Sequence, residues 1–371
     1  MWWLIVPVTI YSLGIFALWL ILVIRRDEIQ LSTNIQTRVT VVVAVRNEEK
    51  TIANLLKELA EQVYPDDLLE IIIVNDNSTD RTPVIVSEFI SRHRQHSSLN
   101  IRLIYNIHSG KKSALRYGAS KAMGDLILTT DADCRPGHQW VSAHALFYAS
   151  TGADMVLAPV FQVTGRGFTS LFGAFEFSAL QGVTEATARA GFPVMCNGAN
   201  MGIRREIYLS HSGDLHDDLP SGDDVFLLHA VKRAGGRIRY LPGVEAAVET
   251  ASAVSAAALL SQRARWASKA GRYRDPAIIT LAAATAACNV AVAAAAVTAL
   301  FSPEYLPVVA SLYLLRLTPD YLIARHSIKK REEHMLLPLF LIMDLIYPFY
   351  FVTVGLLSLV PTMRHFRKSD G

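Results

Sequence analysis

The sequence predicts an α/β protein, a mainly parallel sheet covered on both faces by helices, carried between an N-terminal transmembrane anchor and C-terminal transmembrane helices. Three observations predict it. Short Val/Ile/Leu runs alternate with helical stretches through the first part of the chain. Trp2–Ile24 holds no charged residue and is followed at once by Arg25 and Arg26. From Pro276 the chain turns apolar again, without a charge as far as Pro303.

As a helix the first apolar run reaches roughly 35 Å, enough to cross a hydrocarbon core. A cleaved signal peptide carries its positive charge ahead of the apolar stretch and small residues after it. Here the order is reversed, so the run reads as a retained anchor with its Arg25/Arg26 end in the cytosol. Arg38–Val45 (RVTVVVAV) is the first strand, and the polar Arg46-Asn47 turn leads into a helical stretch, Glu48–Gln62. Glu70–Val74 is a second strand, ended by NDNSTD; Ser78, Thr79 and Asp80 are N-cap candidates for the next helix. Ile101–Tyr105 and Asp125–Thr130 are the third and fourth strands, with a helix over Lys112–Ala122 between them. Continuous apolar strands separated by helices indicate parallel pairing with both faces buried.

Charge density divides the chain into an anchor (1–26), a soluble domain (27–275) and an apolar C-terminal region (276–371) with two to three spans. Tyr305–Ala324 is interrupted by Arg316 and Asp320, which can pair at four-residue spacing on a helix. The basic loop Arg325–His334 favours the cytosolic side. Met335–Thr362 carries only Asp344 and reads either as a span or as a re-entrant hairpin broken near Tyr347-Pro348. The span reading leaves Arg364, Arg367 and Lys368 outside, against the charge rule. Gly167–Arg189 has an apolar face at helical spacing, suited equally to the bilayer surface, bordering an acceptor entrance, and to packing on the sheet.

Of 371 residues 51% are hydrophobic, which is too apolar for an ordinary soluble enzyme. Three cysteines (Cys134, Cys196, Cys288) make no disulfide framework and no CxxC pair. A net charge of +3 without a basic stripe gives no nucleic-acid footprint. Neither GxGxxG nor GxxxxGK[ST] occurs, which argues against dinucleotide and P-loop binding.

Ligands in open α/β sheets sit beyond the carboxyl ends of the strands. Three polar clusters fall there: Arg46-Asn47-Glu48, Asn75-Asp76-Asn77 and Asp131-Ala132-Asp133. One Asp-x-Asp is an ordinary turn on its own. After the fourth strand of this pattern, Asp131 and Asp133 are oxygen ligands for a divalent cation that leaves room for substrate phosphates.

With those residues in place, the chain resembles the family-2 inverting glycosyltransferases of GT-A fold. The matching motifs are VVVAVRNEE (41–49), IIIVNDNSTD (71–80), GKKSALRYG (110–118), DADC (131–134), GANMGIRR (198–205), GDDVFLLHAVKR (222–233) and QRARW (262–266). The resemblance implies a Rossmann-like GT-A sheet and a nucleotide-sugar donor, of UDP type. It implies that Asp76 contacts the base or ribose, with Asn75 standing where the motif normally has a first acid. Lys111 lies near the nucleotide, Asp131 and Asp133 hold diphosphate and metal (Mg2+ or Mn2+), and Asp224 is the general base. Gln262, Arg265 and Trp266 match the QxxRW signature of polysaccharide synthases and ceramide-type lipid glucosyltransferases.

The residue types suit that chemistry independently. A carboxylate can take the proton of an attacking hydroxyl, and the start of a helix keeps Asp223-Asp224 ionised. A helix-capping role alone is the other reading of that pair, and Asp217-Asp218 is the rival pair. Arg265 can grip phosphate oxygens bidentately and Trp266 offers a flat face to an acceptor, though both also suit membrane-interface anchoring. Cys196 reads as a packing residue, and Gly198 permits close backbone approach.

A secreting synthase needs a channel, and two or three spans after QxxRW make a small one unless the chain forms a homo-oligomer. The leading expectation is therefore a membrane-bound transferase acting on a lipid or lipid-linked glycan acceptor, with its catalytic domain on the cytosolic side of a bacterial cytoplasmic membrane. A processive polysaccharide synthase is the alternative, and transfer to a polyprenyl phosphate comes third. A non-catalytic membrane scaffold of the same fold is the alternative from another class; the retained acids argue against it.

Overall fold

In the computed structural model, the four strands that β-branched runs predict all form, and they run parallel, so that their carboxyl ends lie on one side. The structure describes residues 2–25, 34–165, 167–216, 219, 222–330 and 334–360. Chain order begins with helix α1 (Ile5–Ile24), strand β1 (Val39–Val45), α2 (Ile52–Ala60), β2 (Leu69–Asn75), α3 (Thr82–His93), β3 (Asn100–Tyr105) and α4 (Lys111–Lys121). It continues through β4 (Leu126–Thr129), β5 (Cys134–Pro136), α5 (Trp140–Thr151), β6 (Met155–Leu157), β7 (Val160–Val163), α6 (Phe168–Ala190), β8 (Met201–Arg204) and α7 (Arg205–His211). It ends with α8 (Asp223–Arg233), β9 (Ile238–Tyr240), β10 (Val248–Ala251), α9 (Ala256–Ala267), α10 (Pro276–Phe301), α11 (Leu306–Lys330) and α12 (Phe340–Ser358).

The chain forms two compact units. One comprises 27–163 and 195–251 and contains a seven-stranded sheet of order β3-β2-β1-β4-β8-β6-β9. β3, β2, β1 and β4 run parallel, β8 is antiparallel to both neighbours, and β9 is parallel to β6. A small second sheet has the order β5-β10-β7. Val41, Val43, Ile71, Ile72, Ile73 and Ile127 are fully buried, each contributing about 1.5–3 kcal/mol of apolar transfer. The predicted helix after β1 begins later than Glu48. The N–H groups of Asn47, Glu48 and Glu49 are committed instead to Ser78 Oγ (3.1 Å), Thr82 Oγ1 (2.8 Å) and Asp80 Oδ2 (3.1 Å), which holds the loops after β1 and β2 together. None of the three N-cap candidates stands at the cap: Arg81 does, without a side-chain cap hydrogen bond, and Asp80 accepts from Thr82 N–H at 2.9 Å in the turn just before it.

The other unit draws on 1–26, 164–194 and 252–371. Two segments inside the expected 27–275 range, 164–194 and 252–275, thus cluster with the apolar helices. Val8, Ile15 and Leu22 of α1 pack with Ala186, Val292 and Leu312 in one apolar cluster; Phe172, Phe175, Leu259, Phe340 and Met343 form a second. On α6, Gly182 lies where an added Cβ would come within 2.9 Å of the Ile323 carbonyl, so its lack of a side chain sets the α6–α11 approach. Among the described residues, four helical segments are long and apolar enough to cross a membrane: Trp2–Ile24, Pro276–Phe301, Pro303–Lys330 and Leu336–Ser358. α12 runs unbroken through Pro348 as one helix, so no hairpin forms there.

A polar network joins α1, α10, α11 and α12. Arg316, 1% exposed, donates to Asp320 Oδ2 (3.0 Å), Asn289 Oδ1 (3.1 Å) and Asp344 Oδ1 (3.0 Å), and the Tyr11 hydroxyl donates to Asp320 Oδ1 (2.8 Å). The expected Arg316–Asp320 pair forms and gains partners from the other three helices.

Candidate active site

Parallel strands β1, β2 and β4 deliver their carboxyl ends side by side, and the residues after them converge. Asp76, directly after β2, is buried and donates its own N–H to Val45 O (2.8 Å). Its carboxylate accepts from Gly110 N–H (2.8 and 3.1 Å) and Asn106 Nδ2 (2.9 Å), with the Arg46 guanidinium at 3.9 Å. Asp76 therefore fixes the turn that opens α4. Gly110 takes φ +112° there, a conformation that L side chains rarely adopt.

That turn aims two lysines in different directions. Lys111 Nζ reaches Asp131 Oδ1 at 2.6 Å. Lys112 is buried, donates to the carbonyls of Leu215 and His216 at 2.6 Å each, and lies over the Phe226 ring. Burial opposes the charge of Lys111, but Asp131, Asp223 and Asp224 outweigh it and hold the ammonium protonated.

Asp223 and Asp224 occupy the first turn of α8, after Gly222 at φ +91°. Asp224 Oδ2 accepts from Gly198 N–H (2.9 Å) and Oδ1 from Val225 N–H (2.8 Å). A Cβ on Gly198 would meet Asp224 Cβ at 3.4 Å, an ordinary contact, so it is the Gly198 N–H that seats this carboxylate. Thr129 at the end of β4 donates to Gly198 O (2.7 Å), tying the same loop to the strand that leads to Asp131. Asn200 anchors the loop from behind. It accepts from Trp140 Nε1 (2.8 Å) and donates to the carbonyls of Pro159 and Ala246 (2.7 Å each).

Burial pushes the Asp223 carboxyl up; Lys111 pulls it down, and Asp224 and Asp131 push it up again. Asp223 is the member of this group that the sequence did not distinguish, because an acid at a helix start carries the same signature as a cap. Burial, then Asp224 and Asp223, raise the Cys196 thiol well above its ordinary value, which fits a packing residue. The rival pair Asp217-Asp218 lies outside the described residues.

Asp131, Asp133 and Cys134 bring ligand atoms within 4.8 Å of one another. Four carboxylates, Asp131, Asp133, Asp223 and Asp224, accompany the Lys111 ammonium. Two hard oxygen donors in a carboxylate-rich cluster fit Mg2+ or Mn2+.

In the other unit, Ser255 Oγ caps α9 by accepting from Ala258 N–H (3.2 Å). This helix carries Gln262, Arg265 and Trp266, all half-buried. Gln262 Oε1 accepts from Arg263 Nη1 (2.5 Å), and the Trp266 ring lies 6.2 Å from Phe177.

Similarity to known proteins bears on the fold and the family. The model of "Glycosyl transferase family 2" matches residues 40–210, and that of "Glycosyl transferase family group 2" matches 126–357. The probable glycosyltransferase YdaM of Bacillus subtilis is 33% identical over 208 residues, 55% of this chain and 49% of that protein. The beta-monoglucosyldiacylglycerol synthase of Synechocystis is 30% identical over 172 residues, 39% of this chain and 35% of that protein. The chain thus spans about half the length, or less, of these two relatives. The mannosyltransferase PcManGT of Pyrobaculum calidifontis, solved with GDP-Man and Mn2+, superposes with a TM-score of 0.61 at 20% identity, over 96% of this chain and 99% of that one. That likeness is one of GT-A fold. By motif order, sheet topology and family match, the chain belongs to the family-2 glycosyltransferases.

Proposed function

We propose that this protein transfers a sugar from a nucleotide-sugar to a lipid or lipid-linked glycan acceptor at a membrane, with inversion and with a divalent cation. The observation that carries the reading is the group of carboxylates around Lys111, Asp131 after β4 and Asp223 and Asp224 at the start of α8, with Asp133 beside Asp131. Asp131 and Asp133 would hold Mg2+ or Mn2+, which when bound neutralises charge on the diphosphate leaving group. Lys111 adds a fixed positive charge at the same place, and Asp76 contacts the nucleoside while holding the turn before α4.

Asp224 acts on the acceptor. Its carboxylate takes the hydroxyl proton as that oxygen bonds to the anomeric carbon, and the bond from that carbon to the diphosphate oxygen breaks with its electron pair. One displacement turns an α-linked donor into a β-linked product. Gln262, Arg265 and Trp266 serve the acceptor and phosphate side. A UDP-sugar is the proposed donor.

The four apolar helical segments support attachment to the membrane as an integral protein. In this reading the catalytic unit faces the cytosol of a bacterial cytoplasmic membrane, which the charge rule favours from Arg25 and the basic residues near 325–330. Similarity to a glucolipid synthase favours a lipid acceptor. In the test, purified protein is given UDP-sugars, Mg2+ or Mn2+ and membrane lipid, and products are read by mass and NMR. A β-linked glycolipid is expected, and Asp224→Asn should lower the rate about 10²–10⁴-fold. Asp133→Ala should be inactive. A long polymer from one nucleotide-sugar would establish the processive synthase instead, and full activity in both variants would remove this site.

A further inference from the structure

The QxxRW signature leaves two positions unspecified, and Arg263 fills the first. It is 4% exposed, although its neighbours Gln262, Arg265 and Trp266 are only half-buried. Its Nε donates to Glu176 Oε2 at 2.7 Å, and Nη2 lies 2.7 Å from the same oxygen. The remaining arm, Nη1, donates to Gln262 Oε1. The guanidinium carbon lies 4.3 Å from the centroid of the Trp266 ring, one helical turn on, and 5.8 Å from that of Phe177. Glu176 is itself buried on α6, and its other oxygen accepts from the Tyr350 hydroxyl of α12 at 3.2 Å.

Burying a charged pair costs several kcal/mol of desolvation per ion, and well-packed apolar residues hold helices together as well or better. A pair used only for packing has no need of a flat, forked cation. The guanidinium does what neither a Leu nor a Lys can do. One edge is fixed by Glu176, one arm holds the Gln262 amide oxygen, and its face covers the indole. Two members of the signature are thereby held by one group, whose plane is set from a different helix.

We propose that Arg263 is a positioning residue, oriented by Glu176 and Tyr350, that fixes Gln262 and Trp266 for the acceptor. This rests on the reading of the signature as acceptor- and phosphate-side machinery. Two variants test it, Arg263→Lys and the paired Glu176→Met/Arg263→Met, the second replacing the ion pair with apolar residues. Both are assayed for acceptor and nucleotide-sugar kinetics and for thermal midpoint in detergent.

The expected result is at least a tenfold loss in kcat/KM for the acceptor. The KM for the nucleotide-sugar should stay within about twofold, and the thermal midpoint should be unchanged. Wild-type acceptor kinetics in Arg263→Lys, or in a paired variant that folds, would overturn the inference. So would a loss that tracks a fall in midpoint. If the paired variant does not fold, Arg263→Lys decides alone. Full transfer by Arg265→Ala and Trp266→Ala would overturn the reading of the signature and this inference with it, whereas full transfer by Arg263→Lys alone would overturn only the inference.

Discussion

Single buried groups do much of the positioning in the sheet unit, and His144 shows how pH reaches them. It is fully buried on α5, with Nε2 2.9 Å from Asn200 Oδ1, and burial lowers its pKa from 6.5 to about 4. A folded pKa below the unfolded value means that the unfolded chain binds more protons between those limits. Stability from neutral His144 is therefore complete above about pH 6.5 and lost as pH falls toward 4, about 3 kcal/mol in all. The Asn200 loop seats Asp224, so activity should fall over the same window. Replacement by a non-titrating residue, His144→Gln, should flatten that limb of the stability–pH curve measured by thermal unfolding. An unchanged curve would count against it. Asp223 illustrates what a sequence hides at this scale: its neighbours Lys111 and Asp131 come from other strand ends, and no local spacing reports them.

Among the elements, the strands were the most legible because both faces are buried. A run such as VVVAV admits few other environments. Helix α6 was less so. Its Glu176, Glu185 and Arg189 gave it the charge density of a soluble segment, yet it clusters with the apolar helices. The reason is internal neutralisation. Glu176 pairs with Arg263, and Glu185, 2% exposed, meets Lys330 at 2.6 Å and Arg189 at 2.8 Å. Charges that cancel across helices look, in one dimension, like charges facing water. The close approach of α6 and α11 at Gly182 gives a prediction of its own. Because the Ile323 backbone is what a new Cβ would strike, Gly182→Val forces the helices apart. A cost of about 1–3 kcal/mol is expected, read as a lower thermal midpoint in detergent. A midpoint equal to wild type would show that the approach is not fixed.

At the scale of the whole molecule, the linear division at 26 and 275 marks where charge density changes, whereas the compact units are stitched from separated segments. The motifs after β1, β2 and β4 were legible as sites because each lies at a strand end that the apolar pattern already marked, whereas those on β8, α8 and α9 were legible only through the resemblance. The polar network at Arg316 was legible only as its local pair, because Tyr11, Asn289 and Asp344 approach from distant helices. Arg316→Leu should leave Asp320 and Asp344 without their cation and cost about 3–5 kcal/mol, seen as reduced yield and a lower midpoint. A full yield of stable protein would contradict it.

The same network bears on how the protein is made. Translation delivers Tyr11 first, Asn289 and Arg316 much later, and Asp344 last of all. Until α12 arrives, Arg316 is paired with Asp320 of its own helix alone, and a ribosome stalled before Asp344 leaves the hydrogen bond from Arg316 Nη2 to Asp344 Oδ1 unmade. A network that Tyr11 of α1 opens is thus completed only by Asp344 of α12.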